Sequence, residues 1–474
     1  MNSSSSSPSS VAVIGGGVSG MAAAHRLVEL KPDVKLRVYE ASSKLGGVLE
    51  TESSDGFQVE LGSDSFLSNQ PGAVDLCRRL GMEDELLQTN DAFRKTLIVH
   101  RGKLQEVPVG FMLMAPARIW PILTTPILSW RAKLRLAWEY FVPVKQDDED
   151  ESIAHFVRRR LGREAYDHLV QPLVGGIYTG DADQLSLAAL QPRFAEMERV
   201  HGGLIRASRK SKSSATENSG ARYSLFVTPR DGLSSIINRI AERLPEDSVA
   251  LNARVERVEQ LNSGGWKIHC DGDSAEPSRE FDAVVMAAPA PIASGLTREI
   301  DASLADLLDG IPYAGAAVVS VGYNRSQIQH PLDAFGFVVP EVENRRILAC
   351  SFSSVKFTGR APEGKVLLRT FLGGVKQSDL VELSDDELRA TVAEELADLL
   401  GVEGEPEFCR VGRYRNKMPQ YLIGHLQRVA EIDARTAKLS GLELTGNAYR
   451  GVGIPDCIVA AEQTAERVLS GESC

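Results

Sequence analysis

The chain has 474 residues, with 53 Lys and Arg against 64 Asp and Glu, giving a formal net charge of −11. Hydrophobic residues at 43 % and charged residues at 25 % are ordinary globular composition, which excludes a disordered or fibrous chain. The acidic balance argues against nucleic acid as a partner, and at roughly 150 residues per domain the length allows about three domains.

The polar leader MNSSSSSPSS lacks a basic segment followed by an apolar core and does not read as a signal peptide. Val11 to Ile14 is a short apolar run of the kind buried on both faces of a parallel sheet. It leads through Gly15–Gly20 into an unbroken helical pattern, Met21 to Leu30, and then a second strand, Lys35 to Tyr39, ending on Glu40. This is a βαβ unit, the opening of an α/β dinucleotide-binding fold. No window reaches the ~18 apolar residues of a membrane span; the nearest stretch, Phe111 to Leu128, is broken by Arg118 and three prolines. Lys145 to Ser152 (KQDDEDES) reads as a solvated acidic loop and Ala207 to Arg222 as a mobile one. Between them, Ile153 to Leu169 and Ala188 to Val200 carry helical periodicity. Strands are predicted at Val249–Val258, Phe281–Ala287, Ala316–Gly322, Phe335–Val339, Leu348–Phe352 and Val366–Leu372, and a helix at Asp385–Leu400. Near the end, the segment Leu442 to Asn447 reads as a strand running into a second glycine-rich block, followed by a helix to about Leu469. The six cysteines form no CxxC pair and read as reduced thiols of a cytoplasmic protein, with no metal site.

Three motifs carry chemistry. In Gly15-x-Gly17-x-x-Gly20 the glycines permit a tight turn, close approach to a pyrophosphate and close packing of helix on strand, while Gly16, Val18 and Ser19 complete the loop. The helix N-terminus then offers N–H groups to phosphate. Glu40, at the end of the second strand, is placed for ribose hydroxyls, and its charge disfavours the 2′-phosphate of NADP. The pair Gly46-Gly47 follows, giving backbone that can close over a long cofactor, in a spacing that resembles the FAD-dependent amine oxidase and desaturase superfamily. At the far end, Gly451-Val452-Gly453-Ile454-Pro455 puts proline in a first helical turn, with N–H groups able to face a flavin edge that becomes negative on reduction.

The whole chain resembles the oxygen-dependent porphyrinogen oxidases, flavoenzymes that make haem precursors. The resemblance rests on GGGVSG (Gly15–Gly20), LGSDSF (Leu61–Phe66), QPLVGGIYTGD (Gln171–Asp181), MPQYLIGH (Met418–His425) and GVGIPDCI (Gly451–Ile458). The last is most similar to the Bacillus-like branch, some of whose members prefer coproporphyrinogen III to protoporphyrinogen IX. It implies non-covalent FAD on Gly15–Gly20, Glu40, Ala41, Lys44, Gly46, Gly47 and Gly62, Ser63, Asp64 and Ser65. Val255 would meet the adenine through its backbone, and Val452, Gly453 and Ile454 would line the flavin. Tyr414 falls where the family tends to carry tryptophan. For the porphyrinogen it implies Gly176, Tyr178, Val338 and Phe371, with Arg94 or Lys95 serving a propionate in place of a eukaryotic-type arginine that registers on Thr96.

The implied architecture is a Rossmann-like FAD domain of the amine oxidase type (1–90, 223–290 and 410–474), interrupted by a helical insertion (91–206) and a mixed-sheet substrate domain (291–409), with 207–222 as the mobile loop. The implied reaction is a six-electron oxidation in three rounds, each transferring a hydride to flavin N5, with O2 as acceptor and peroxide as by-product. No side chain stands out as a catalytic base, and His25 and His425 read as packing or surface residues. The Trp-flanked basic segment within Phe111–Tyr140 supports at most weak peripheral membrane contact, and a homodimer stays compatible with the sequence. Two other readings stay open: another amine oxidase or desaturase of the superfamily, and a flavin-bound scaffold without turnover.

Overall fold

Val11, Ala12 and Val13 are completely buried because the strand they form, Ser10–Ile14, lies in the middle of a parallel sheet. A computed structural model describes residues 7–116, 119–211, 226–271 and 278–471. The sheet runs in the order Val249–Ala250, Lys35–Tyr39, Ser10–Ile14, Ala283–Met286, Leu442–Leu444, with every neighbour parallel. Helix Val18–Leu30 follows the first strand and packs on the terminal helix Ile454–Ser470, small residues Ala22, Ala23, Ala461 and Ala465 lying in the shared core. The two ends of the chain therefore share one structural unit, built on the parallel sheet.

A second sheet has seven strands: Phe408–Pro419, Tyr313–Asn324, Lys365–Gly373, Ala349–Phe352, Gly336–Val338, Leu97–His100 and Lys103–Glu106. Its pairings are antiparallel except Gly336–Val338 on Leu97–His100, so it is mixed, as expected. The expected domain limits run through it. The hairpin 97–106 falls in the stretch assigned to the helical insertion, and Phe408–Pro419 straddles the limit at 410. A hairpin that completes a sheet more than 200 residues away in the chain has no local signature of that partnership.

Two predicted strands divide. Val249–Val258 breaks at Asn252, whose φ of 52° makes a turn, so that Val249–Ala250 joins the parallel sheet while Val255–Gln260 starts a separate three-stranded one. Phe281–Ala287 divides likewise between Arg279–Phe281 and Ala283–Met286. Of the loop placed at 207–222, residues 207–211 continue helix Leu204–Ser211, because Leu204, Ile205, Ala207 and Ser208 present one buried face; the remainder lies outside the described residues. The acidic run 145–152 is tied down at its end: Asp150 accepts from the Ala188 N–H, and Glu151 pairs with His155 and Arg159.

Candidate active site

Gly15 has a φ of 106°, and a Cβ there would lie 2.8 Å from the carbonyl oxygen of Ala287. At Gly20 a Cβ would come within 1.8 Å of the Gly15 carbonyl oxygen. Gly17, the N-cap of helix Val18–Leu30, differs: nothing lies within 4 Å of a Cβ built on it. Its outer side is open space at a helix N-terminus, the place a pyrophosphate occupies. Glu40 accepts from the Gly16 and Ser42 N–H groups at 2.8 Å each, which holds its carboxylate over the loop and leaves further lone pairs for ribose hydroxyls. Gly46 donates to Gly16 at 2.9 Å, and a Cβ on Gly47 would meet Gly17 Cα at 3.3 Å, so this pair closes against the loop. Ala253 donates to the Glu40 carbonyl, which brings the Val255 segment beside Glu40. The residues present thus fit an extended dinucleotide.

Two of the expected cofactor residues, Lys44 and Asp64, have side chains engaged in ion pairs. The Lys44 ammonium pairs with Glu50, while its carbonyl accepts from Ser42 Oγ at 2.7 Å, the hydroxyl that also donates to Glu40. Asp64 turns to Lys356 (3.1 Å) and Arg369 (3.2 Å). Although burial pushes it up, these two cations hold the carboxyl well below the usual range. Lys356 also donates to Ser65 Oγ at 3.0 Å. Sequence reading missed both cations; Arg369 within the largely apolar strand Lys365–Gly373 was the available signal, and Lys356 in the helix Ser353–Lys356 carried none.

Ser63 and Ser65 open onto a cavity of about 590 Å³ whose lining also includes Val452, Gly453 and Ile454 at the start of the terminal helix. Register explains the next wall. Val338 pairs with Ala349 and Ala349 with Phe371, so three residues from three strands form one row facing the cavity. Against this row, helix Gln171–Tyr178 presents Leu173, Gly176 and Ile177, spaced i, i+3, i+4, with Gly176 beside Val338 and Ala349. Tyr178 does not line the cavity, against expectation. One residue further round the helix, it is buried in the helical layer, and its hydroxyl accepts from Gln191 Nε2 at 2.6 Å. Arg94, Lys95 and Thr96 stand together at the polar end. Arg94 pairs with Asp91, and Lys95 with Asp333 at 2.6 Å, a hydrogen bond that lowers the Asp333 pKa. Tyr414 lies beyond the lining, its hydroxyl near Gly62, with burial pushing its pKa up to about 12. Phe66, Gln70, Phe226 and Met418 also line the cavity and were not foreseen.

A family model for flavin containing amine oxidoreductases matches residues 18–469. The coproporphyrinogen III oxidase of Bacillus subtilis (strain 168) is 32 % identical over 455 residues, covering 94 % of this chain and 95 % of that protein. Protoporphyrinogen oxidase 2, chloroplastic/mitochondrial, of Arabidopsis thaliana is 28 % identical, covering 98 % and 94 %. Among solved structures, a protein of Exiguobacterium sp. 255-15 provisionally named protoporphyrinogen oxidase superposes with a TM-score of 0.87 at 27 % identity, covering 99 % of this chain and all of that one.

Proposed function

The chain belongs to the flavin-containing amine oxidoreductase family, and from that premise we propose that it oxidises a porphyrinogen for haem biosynthesis, coproporphyrinogen III in preference to protoporphyrinogen IX. The observation that carries the reading is the cavity itself: about 590 Å³, walled by Leu173, Ile177, Val338, Ala349 and Phe371, and closed by the turn Val452–Ile454. That volume suits a large, flexible, apolar ligand with a few polar anchors. The preference for coproporphyrinogen III follows the names of the bacterial relatives at 30–33 % identity.

FAD is the cofactor, held by Gly15–Gly20, Glu40, Gly46, Gly47 and Val452–Ile454, and when bound it supplies two-electron acceptance, with O2 as the proposed final acceptor. The apolar row Val338–Ala349–Phe371 holds the macrocycle face and excludes water. Arg94 and Lys95 hold propionates at the polar end, where each cation can be shared between its present acid partner and an incoming carboxylate. An amine oxidase reading fits less well, since no tyrosine or tryptophan is among the described residues lining the cavity.

Anaerobic mixing with each porphyrinogen tests this. Bleaching of the visible flavin band, followed by porphyrin fluorescence when air is admitted, is the expected result, faster with coproporphyrinogen III. Bleaching by amines alone would overturn it.

We also propose weak peripheral contact with a lipid surface through Trp120, Trp130, Leu134, Trp138 and Phe141. Each is more than 60 % exposed, and all belong to one stretch of short helices. No helix among the described residues is long and apolar enough to cross a membrane. The expected result is co-sedimentation with neutral vesicles, reduced in Trp130→Ser/Leu134→Ser; equal sedimentation of both proteins would sink the idea.

A further inference from the structure

The segment MPQYLIGH has no part in the cavity lining beyond Met418, yet three of its side chains are almost fully buried and hydrogen-bonded. The Tyr421 hydroxyl donates to the Asn447 carbonyl at 2.6 Å and accepts from the Gly451 N–H at 2.9 Å, so both of its roles are filled by one loop. His425 stacks on the Tyr421 ring, with centroids 3.8 Å apart and planes 11° from parallel. Its Nε2 lies 3.0 Å from the Tyr449 carbonyl, the acceptor that assigns the proton to that nitrogen. Gln420 Nε2 donates in the other direction, to the Tyr178 carbonyl at 3.1 Å, at the end of the helix that presents Leu173, Gly176 and Ile177.

The loop held this way needs holding. It begins at Gly446 with a φ of 131° and turns at Gly451 with a φ of 139°, conformations open to glycine and costly to other residues. It delivers Val452, Gly453 and Ile454 directly to the cavity. Its fastening points, Asn447, Tyr449 and Gly451, are all met by Tyr421 and His425. Burial raises the Tyr421 pKa and lowers that of His425, and both shifts favour the neutral rings that make these hydrogen bonds.

We propose that Tyr421 and His425 are positioning residues that set the flavin-facing turn Val452–Ile454, and that Gln420 fastens the substrate-side helix to the same anchor. The cofactor and substrate walls of the cavity then take their spacing from one stretch of eight residues. The flavin-side claim needs only flavin binding; the Gln420 claim rests on the porphyrinogen reading.

The experiment compares Tyr421→Phe, His425→Phe and Gln420→Leu with the parent protein. FAD affinity is titrated into the apoprotein, and the flavin visible spectrum and midpoint potential are recorded on the loaded protein. Tyr421→Phe keeps the ring but strands a buried carbonyl and N–H, so FAD affinity should fall about tenfold, with a shifted visible band and potential. His425→Phe keeps the stacking and loses one hydrogen bond; the same changes should appear at smaller size. Gln420→Leu should leave affinity, spectrum and potential unchanged and raise the porphyrinogen KM without lowering kcat. Parent-like affinity, spectrum and potential in Tyr421→Phe would overturn the proposal; if that variant does not fold, the same result in His425→Phe would. A parent protein that bound no FAD would instead overturn the cofactor assignment, and one that bound FAD without oxidising porphyrinogens would overturn the substrate reading alone.

Discussion

The glycine loop Gly15–Gly20 is made of backbone, whereas in the cavity Val338, Ala349 and Phe371 make a wall of side chains. The first arrangement comes from one continuous stretch of chain. The second brings together three strands and a helix whose residues lie between 173 and 371 in the chain. A backbone site restricts which residues can stand at given positions, so the same substitution can be fatal, functional or harmless according to what a single methyl meets. Gly→Ala at three positions therefore separates the two kinds of wall.

Gly20→Ala should have the largest effect. Its methyl would sit 1.8 Å from the Gly15 carbonyl oxygen, and Gly15 is held in turn by its N–H on the Tyr39 carbonyl. Overpacking against backbone costs about 3 kcal/mol or more, enough to lower expression and leave no flavin bound. A yellow protein of normal melting temperature would show that the loop has slack that its geometry denies.

Glu60 is buried outside both sites, accepting from the Leu233 N–H and the Thr51 hydroxyl, with Arg369 and Arg360 beyond. Burial pushes its pKa up from 4.5 to about 7. The folded chain therefore keeps the proton up to about pH 7, while the unfolded chain releases it near 4.5. Stability from this group is present below the lower value and is lost as pH rises through the higher one, by up to roughly 3 kcal/mol. Glu60→Gln should narrow the difference between melting temperatures at pH 5 and pH 8. A difference as wide as the parent's would mean that Glu60 ionises in the fold without cost.

Gly17→Ala tests the backbone end without touching the fold. The φ of −73° at this position suits any residue, and nothing lies within 4 Å of the new methyl. Apoprotein stability should fall by no more than about 1 kcal/mol, the difference between glycine and alanine at an N-cap. FAD affinity should fall on the order of 100-fold, about 2.8 kcal/mol, because the methyl fills the space a pyrophosphate needs. Equal losses in both measurements would make the glycine structural after all.

The contrast also explains what could be read in advance. Strand, glycines, helix and Glu40 were legible because each follows the last within thirty residues and answers a local demand of φ or close approach. The helix Asp385–Leu400 was legible from end to end, with Ser384 and Glu387 forming a capping box. Phe408–Pro419 was missed: its arginines and lysine hide a twelve-residue strand that is defined by its partner, Tyr313–Asn324. At the site, Val338 and Phe371 were found through family resemblance, yet Ala349 between them was not, because only register places it there. Tyr178 failed for the same reason in a helix, since a neighbour one residue away points about 100° round the axis.

Lys95→Met sharpens the substrate end. Lys95 lines the cavity and pairs with Asp333 at 2.6 Å, both partners reachable by solvent. Losing the cation and leaving Asp333 uncompensated should raise the porphyrinogen KM about tenfold, or ~1.4 kcal/mol, with kcat and FAD affinity unchanged. An unchanged KM would move propionate recognition to Arg94 or to the other polar groups of the cavity.

Gly176→Ala should have the smallest effect, and its sign is the opposite of the first. A methyl there would lie 3.6 Å from Val338 Cγ1 and 4.0 Å from Ala349 Cβ, ordinary van der Waals contact against side chains. The residue sits inside helix Gln171–Tyr178, where alanine is favoured over glycine by about 0.5–1 kcal/mol. The apoprotein should therefore melt slightly higher while FAD affinity stays the same, and the porphyrinogen KM should rise only a few-fold as the cavity loses the volume of one methyl. Destabilisation would show that this wall, like the one at Gly20, is packed to the backbone. A KM increase beyond tenfold would show that the macrocycle rests directly on the helix at this residue, and not across the row formed by Val338, Ala349 and Phe371.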